Sequence, residues 1–313
     1  MMSVPWTSQG SLAAKNALES PLSHSLGLYR LFFKPLNAEG EVMMAHRSII
    51  LLLVMEVISV GSVRVEAKEV VVASAKELTG IKAKKITWKK DAAKMVLIPE
   101  GFRRTEDSYD EFGDLVLGEL VKVSDALYMD TTEVTVGQFK KFLKASGYKP
   151  EYLIDWKAVY KYSPTDKHPM ICVSWHGATA YAKWAGKRLP TEAEWELAAR
   201  GGLVNKIFPW GDDESVAREY ANFDGAGSKD KWDRSTAPVG SFPPNGYGLY
   251  DMAGNVWEWC HDWYSSEQVY RVLRGGSWVD YATYLSVAFR DYNGLNFPSN
   301  TYVNFGFRCV SGF

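Results

Sequence analysis

The chain has 313 residues, with 36 Lys+Arg against 37 Asp+Glu. The length allows one or two globular domains. The near-zero charge balance excludes a basic face built for nucleic-acid backbones and an acidic disordered tail. Apolar residues make up 46% and aromatics 14%, alongside 26 Gly and 13 Pro, a mixture that favours a loop-rich α+β domain over a helical bundle. Three cysteines (Cys172, Cys260 and Cys309) are too few for a disulfide framework and too widely spaced for a zinc knuckle.

Near the N-terminus an apolar run, Ile49-Ile50-Leu51-Leu52-Leu53-Val54-Met55, follows His46-Arg47 and precedes small residues around Ala67. It is shorter than the roughly 20 residues that span a bilayer. This layout predicts a secretory signal peptide over 43–67, with 1–42 as an upstream extension and no transmembrane segment in the mature chain. The other reading is a buried apolar helix. Export places the protein at the cell surface or in the periplasm, and no cysteine follows the run to carry a lipid anchor. Residues 68–92, rich in Lys, read as a linker or an edge segment, and one domain follows over 93–313.

Met95-Val96-Leu97-Ile98 reads as a strand ended by Pro99. Thr135 with Gln138, and Thr191 with Glu194, are capping boxes that start helices closed by Gly147 and by Gly201-Gly202. A helix between them runs from an N-cap at Ser174 to Ala185, with Gly186 as its stop. That makes about three short helices. Strands are expected at Val256–Cys260, Tyr270–Leu273 and Phe305–Val310, with Trp257 and Trp259 on one aromatic face. Asn245-Gly246-Tyr247-Gly248 suits a sharp reversal. Arg188 and Arg308 lie among apolar residues and need a carboxylate such as Glu194 or Glu196.

An ordered series of motifs runs through this domain. It comprises Asp130-Thr131-Thr132-Glu133-Val134-Thr135, Gly186-Lys187-Arg188-Leu189-Pro190-Thr191-Glu192-Ala193-Glu194-Trp195, Phe208-Pro209-Trp210-Gly211, Gly254-Asn255-Val256-Trp257-Glu258-Trp259, Arg274-Gly275-Gly276-Ser277-Trp278 and Gly306-Phe307-Arg308. The series resembles the formylglycine-generating-enzyme (sulfatase-modifying factor) family, whose fold is a C-type-lectin-like α+β variant. In the family's enzymes two cysteines after the Gly-Gly-Ser-aromatic motif bind metal and carry the oxidation. The resemblance places those positions at Asp280 and Leu285, neither of which is a thiolate ligand or redox thiol. It therefore implies a protein that is not an enzyme. The alternative is a catalytically altered relative using Asp280 or His261. No catalytic cofactor is implied. The family's calcium site falls on Asp251, Gly254, Val256 and Glu258, two carboxylates and two carbonyls of the kind calcium accepts. The bland reading is that Asp251 caps its turn and Glu258 pairs with an arginine.

Between Trp278 and Gly306 lie residues 279–305, which contain no Lys, Glu, Gln, Met or Trp. A fixed frame around such a stretch resembles the variable proteins of diversity-generating retroelements. There, randomising the adenines of Asn codons cannot yield those five residues. The resemblance implies varied positions at Val279, Asp280, Tyr281, Tyr284, Phe289, Asp291, Tyr292, Asn293, Asn296, Phe297, Asn300, Tyr302, Asn304 and Phe305. Ala282, Leu285, Val287, Ala288, Arg290 and Pro298 would be fixed. Tyr and Phe supply rigid contact area, and Asn and Asp supply adaptable hydrogen bonds, as in an antibody paratope. The implied partner is a variable macromolecular ligand, a protein, and not nucleic acid. Replacing Tyr281, Tyr292 and Tyr302 is expected to abolish binding and spare the fold.

Overall fold

Four stretches of chain reach a helical conformation through caps that the sequence supplies locally. The computed structural model describes residues 69–104, 108–109, 115–116, 120–151, 153–225, 232, 234–294 and 302–312. Helix α1 (Val136–Ser146) starts on the Thr135/Gln138 capping box and ends on Gly147 in the left-handed conformation. Helix α2 (Trp156–Tyr162) is capped by Asp155, whose carboxylate accepts from the Ala158 amide. Helix α3 (Trp175–Ala185) runs from Ser174 to Gly186, and α4 (Glu192–Arg200) from the Thr191/Glu194 box to Gly201. A fifth, α5 (Ala217–Tyr220), is a single turn without a side-chain cap. Among the described residues five helices therefore stand where about three were expected; α2 and α5 are too short to show a clear apolar period.

The strands are β1 (Val71–Val72), β2 (Lys85–Trp88), β3 (Lys94–Ile98), β4 (Gly101–Arg104), β5 (Ser108–Tyr109), β6 (Leu115–Val116), β7 (Leu120–Ser124) and β8 (Leu127–Asp130) before the helices. After them come β9 (Trp257–Trp263), β10 (Tyr270–Arg274), β11 (Arg290–Gly294), β12 (Phe305–Gly306) and β13 (Val310–Gly312). One sheet has the order β1-β2-β3-β8-β13 and a second β11-β10-β9-β12. The stretch expected as one strand over 305–310 is split. β12 runs parallel to β9 in the second sheet, whereas β13 pairs antiparallel with β8 in the first. Arg308 lies between them, fully buried.

Of the two readings for this stretch, residues 69–92 match the edge segment: β1 forms the edge of the first sheet and β2 lies within it. Val72, Leu78, Ile86 and Trp88 pack with Met95 and Tyr128, and Trp88 Nε1 donates to the Ala185 carbonyl at 2.7 Å. Beside this packing, Lys187 is buried between Asp91 (2.8 Å) and Asp130 (2.7 Å), and the Tyr181 hydroxyl donates to Asp91 at 2.9 Å. A lysine in apolar surroundings is tolerated only with such partners. The reversal at 245–248 forms as expected: Asn245 Oδ1 accepts from the Tyr247 and Leu249 amides, and its Nδ2 donates to the Ala198 carbonyl at 2.8 Å. In β9 both faces are buried from Trp257 to Cys260: Trp257 and Trp259 share the aromatic face expected, in one core cluster, and Cys260 lies on the other face in a second. The second face is needed by Glu258.

Candidate functional site

The motif Arg274-Gly275-Gly276-Ser277-Trp278 leads from β10 into the restricted segment, and its glycines let the two pack closely. Gly276 has φ +74°, and a Cβ there would stand 2.9 Å from the Tyr284 carbonyl oxygen. A side chain at this position would push the segment away. The Arg274 guanidinium, fully buried, reaches the segment's backbone. Its Nη1 donates to the carbonyls of Ala288 (2.8 Å) and Phe289 (2.7 Å), and its Nη2 to that of Val287 (2.7 Å) and to Glu196 (2.7 Å).

Other ties use the same currency of main-chain atoms. The Val287 amide donates to the Ile207 carbonyl at 2.8 Å, and the Asp224 amide to the Asp280 carbonyl at 2.8 Å. The Trp257 amide donates to the Asn304 carbonyl at 2.8 Å, and the Cys172 amide to that of Tyr302 at 3.2 Å. Strand β11 pairs with β10 over its whole length, with Tyr292 opposite Val272.

The expected site residues separate by burial. Val279 (40% exposed), Tyr281 (65%) and Tyr292 (45%) face solvent. Asp280, Asp291 and Asn293 are half-buried. Asp280 accepts from the Ser277 hydroxyl, and burial pushes its carboxyl above the usual range. Tyr284 and Phe289 are half-buried and pack edge-on against each other at 4.9 Å, with Tyr284 edge-on to Trp257 at 6.4 Å and Phe289 tilted against it at 6.1 Å. Tyr302 stacks on Phe305 at 4.5 Å, and Asn304 Nδ2 donates to Ser277 Oγ at 3.1 Å. Phe305 is 7% exposed against Trp259 and is a core residue, which corrects its placement on the surface. Tyr302 leans on that core and does not stand free of the fold. Asn296, Phe297, Asn300 and Pro298 lie outside the described residues. Of the positions expected as fixed, Ala282, Leu285 and Val287 are buried. Ala288 and Arg290 are exposed; the first is held by its carbonyl, and the second by Glu192 at 2.8 Å.

The calcium set is arranged differently from the expectation. Glu258 Oε1 and Oε2 both accept from Arg308, at 2.7–3.0 Å, and Oε2 also accepts from Trp195 Nε1 at 2.8 Å. Arg308 therefore takes Glu258, not Glu194 or Glu196; Arg188 takes Glu194 at 2.6 Å. Asp251 Oδ2 accepts from the Gly240 amide at 2.6 Å, while its Oδ1 and Glu133 Oε2 are buried with no N–H or hydroxyl donor, and the two carboxyls hydrogen-bond each other. Burial pushes the Asp251 carboxyl up to about 6, and burial together with the Asp251 charge pushes Glu133 up as well. No three His, Cys, Asp or Glu side chains converge as a metal shell among the described residues. Of the expected set, Glu258 is already paired with Arg308, which leaves the Asp251 carboxylate as the side chain that could hold an ion. Glu133 was missed because its partners, Asn255 at 2.8 Å among them, lie far along the chain.

The chemistry open to an oxidative enzyme is confined. Leu285 is buried in a 3-10 turn. Cys172, Cys260 and Cys309 are buried free thiols; burial pushes the Cys172 thiol up to about 12 and the other two well above their usual value. Such thiols are protonated and weakly reactive. His261 is exposed, with its ring 6.2 Å from that of Trp175.

Fold and site together define a C-type-lectin-like α+β domain whose C-terminal segment is tied to the frame through main-chain atoms. The chain belongs to the sulfatase-modifying factor enzyme 1-like family, whose domain it matches over residues 82–312. It is 34% identical to a formylglycine-generating enzyme of Thermomonospora curvata, covering 69% of this chain and 93% of that one. It is 38% identical to the serine/threonine-protein kinase pkn1 of Chlamydia caviae, of which it spans only 33%, with 60% of this chain aligned. An inactive Cα-formylglycine-generating enzyme 2 of Bos taurus is 44% identical over 46% of this chain and 50% of its own length. Treponema denticola variable protein 1 has the same fold, with a TM-score of 0.52 and 23% identity over 73% of this chain and 99% of that one. No helix among the described residues is long and apolar enough to cross a membrane.

Proposed function

We propose that this protein is a non-enzymatic binder whose segment 279–305 presents a retroelement-diversified surface to a protein ligand outside the cytoplasm. The observation that carries the reading is the mode of attachment. The frame grips this segment mainly through carbonyls and amides, groups that every residue type possesses. Side chains at 279, 281 and 292 can then change without altering what holds the loop. Tyr at two of these three positions suits a contact surface of high area and low side-chain entropy. Asp280 and Leu285, where the family resemblance places the catalytic cysteines, support a binding role, as does the burial of all three thiols. Calcium on Asp251 would stabilise the frame and is not part of ligand contact.

Incubating the purified chain with a cysteine peptide of the sulfatase type and oxygen tests the absence of catalysis. No peptide oxidation is expected, and turnover would remove the binding-only reading. The coding DNA gives an independent check. A near-copy of the stretch for 279–305, differing at adenines and lying beside a reverse-transcriptase gene, is expected.

A further inference from the structure

Tyr292, at the centre of β11, does not stand alone on the surface. Its ring lies 4.3 Å from that of Tyr264 and 4.9 Å from that of Tyr270. Tyr264 follows the end of β9 and Tyr270 begins β10, and the Tyr264 amide donates to the Tyr270 carbonyl at 2.7 Å. The pair is therefore fixed by a hairpin of the frame. Tyr270 is 37% exposed, and Val269 beside it is also exposed. The Arg290 guanidinium lies 4.5 Å over the Tyr264 ring and is held there by Glu192. None of Tyr264, Val269 and Tyr270 belongs to the segment 279–305.

We infer that Tyr264 and Tyr270 form a constant aromatic rim of the ligand surface, which a protein partner contacts whatever residue stands at 292. This rests on the reading of 279–305 as a ligand surface. Two arguments select a protein as the occupant. The rim is continuous with the segment through Tyr292, so a ligand covering that side chain also covers its two neighbours. Tyrosine and arginine ordered by packing are the side chains that dominate protein–protein contacts, because burying them costs little further entropy. The rim gives each new side-chain set a share of contact area already in place, and the varied positions then add discrimination.

The test is a display library of the full chain, varied at Val279, Tyr281, Asp291, Tyr292 and Asn293 and selected on lysozyme as the probe. Tyr270→Ala and, separately, Tyr264→Ala are introduced into several independent binders. Each is expected to weaken most binders by about tenfold or more, whatever residue stands at 292, and Tyr270→Phe by much less. Melting temperatures of the variants control for folding. Tyr270→Lys keeps a long stem, removes the ring and puts in a residue that contact surfaces disfavour, and serves if the alanine variants prove unstable. Affinities that stay within twofold in stable variants would overturn the rim while leaving the segment's role intact. A library that yields no binder would overturn the ligand-surface reading, and the rim with it.

Discussion

Arg274 holds the backbone of the displayed segment at three consecutive carbonyls while itself fully enclosed. Lysine would keep the charge but cannot present the planar fork that spans these acceptors. Each buried carbonyl left unsatisfied costs about 1–3 kcal/mol, so Arg274→Lys is expected to lower stability by at least about 2 kcal/mol. Hydrogen exchange should locate the loss: amides in 286–294 exchange faster, while those of α1 keep their protection. A uniform loss across the domain would mean that Arg274 serves the core generally. The sequence identifies this arginine only as part of a motif. Its three acceptors are set by the fold of a loop whose side chains carry no trace of them. Arg308 repeats the lesson. A buried guanidinium demands a carboxylate, but which one depends on the parallel approach of β12 to β9, and so Glu258 rather than Glu194 or Glu196 is the partner.

At the scale of elements, local chemistry was legible and long-range pairing was not. The caps at Thr135, Ser174 and Thr191 act over three residues, and the sequence holds all the information needed to place them. The run 305–310 looks like one strand because it is apolar apart from Arg308, yet the turn inward at that residue divides it between two sheets. The restricted alphabet of 279–305 marks the segment, but not which of its side chains face water. That division follows from packing on Trp257 and Trp259, which the structure supplies. Phe305→Ala is accordingly expected to cost about 3–5 kcal/mol as a core truncation, whereas Tyr281→Ala should stay within about 0.5 kcal/mol. Denaturant titration of the two variants measures the difference. Equal losses would place both rings in the core.

For the whole molecule, the buried acids Glu133, Asp251 and Glu258 lie around one guanidinium, that of Arg308, and Glu133 and Asp251 each keep one oxygen with no N–H or hydroxyl donor. A divalent cation binding only the folded state raises its melting temperature. Calcium is therefore expected to raise it relative to excess chelator, and Asp251→Asn to abolish the rise. Identical melting in calcium and chelator would show that Arg308 compensates these acids unaided. The separation of folding from display is tested most directly by the melting temperature of a variant with Val279, Tyr281 and Tyr292 all changed to Ser. Exposed substitutions cost little, and 1 kcal/mol moves a domain of this size by about 2–4 °C, so a shift of no more than about 4 °C is expected. A fall of more than about 10 °C would contradict it, because those side chains would then be part of what holds the fold together.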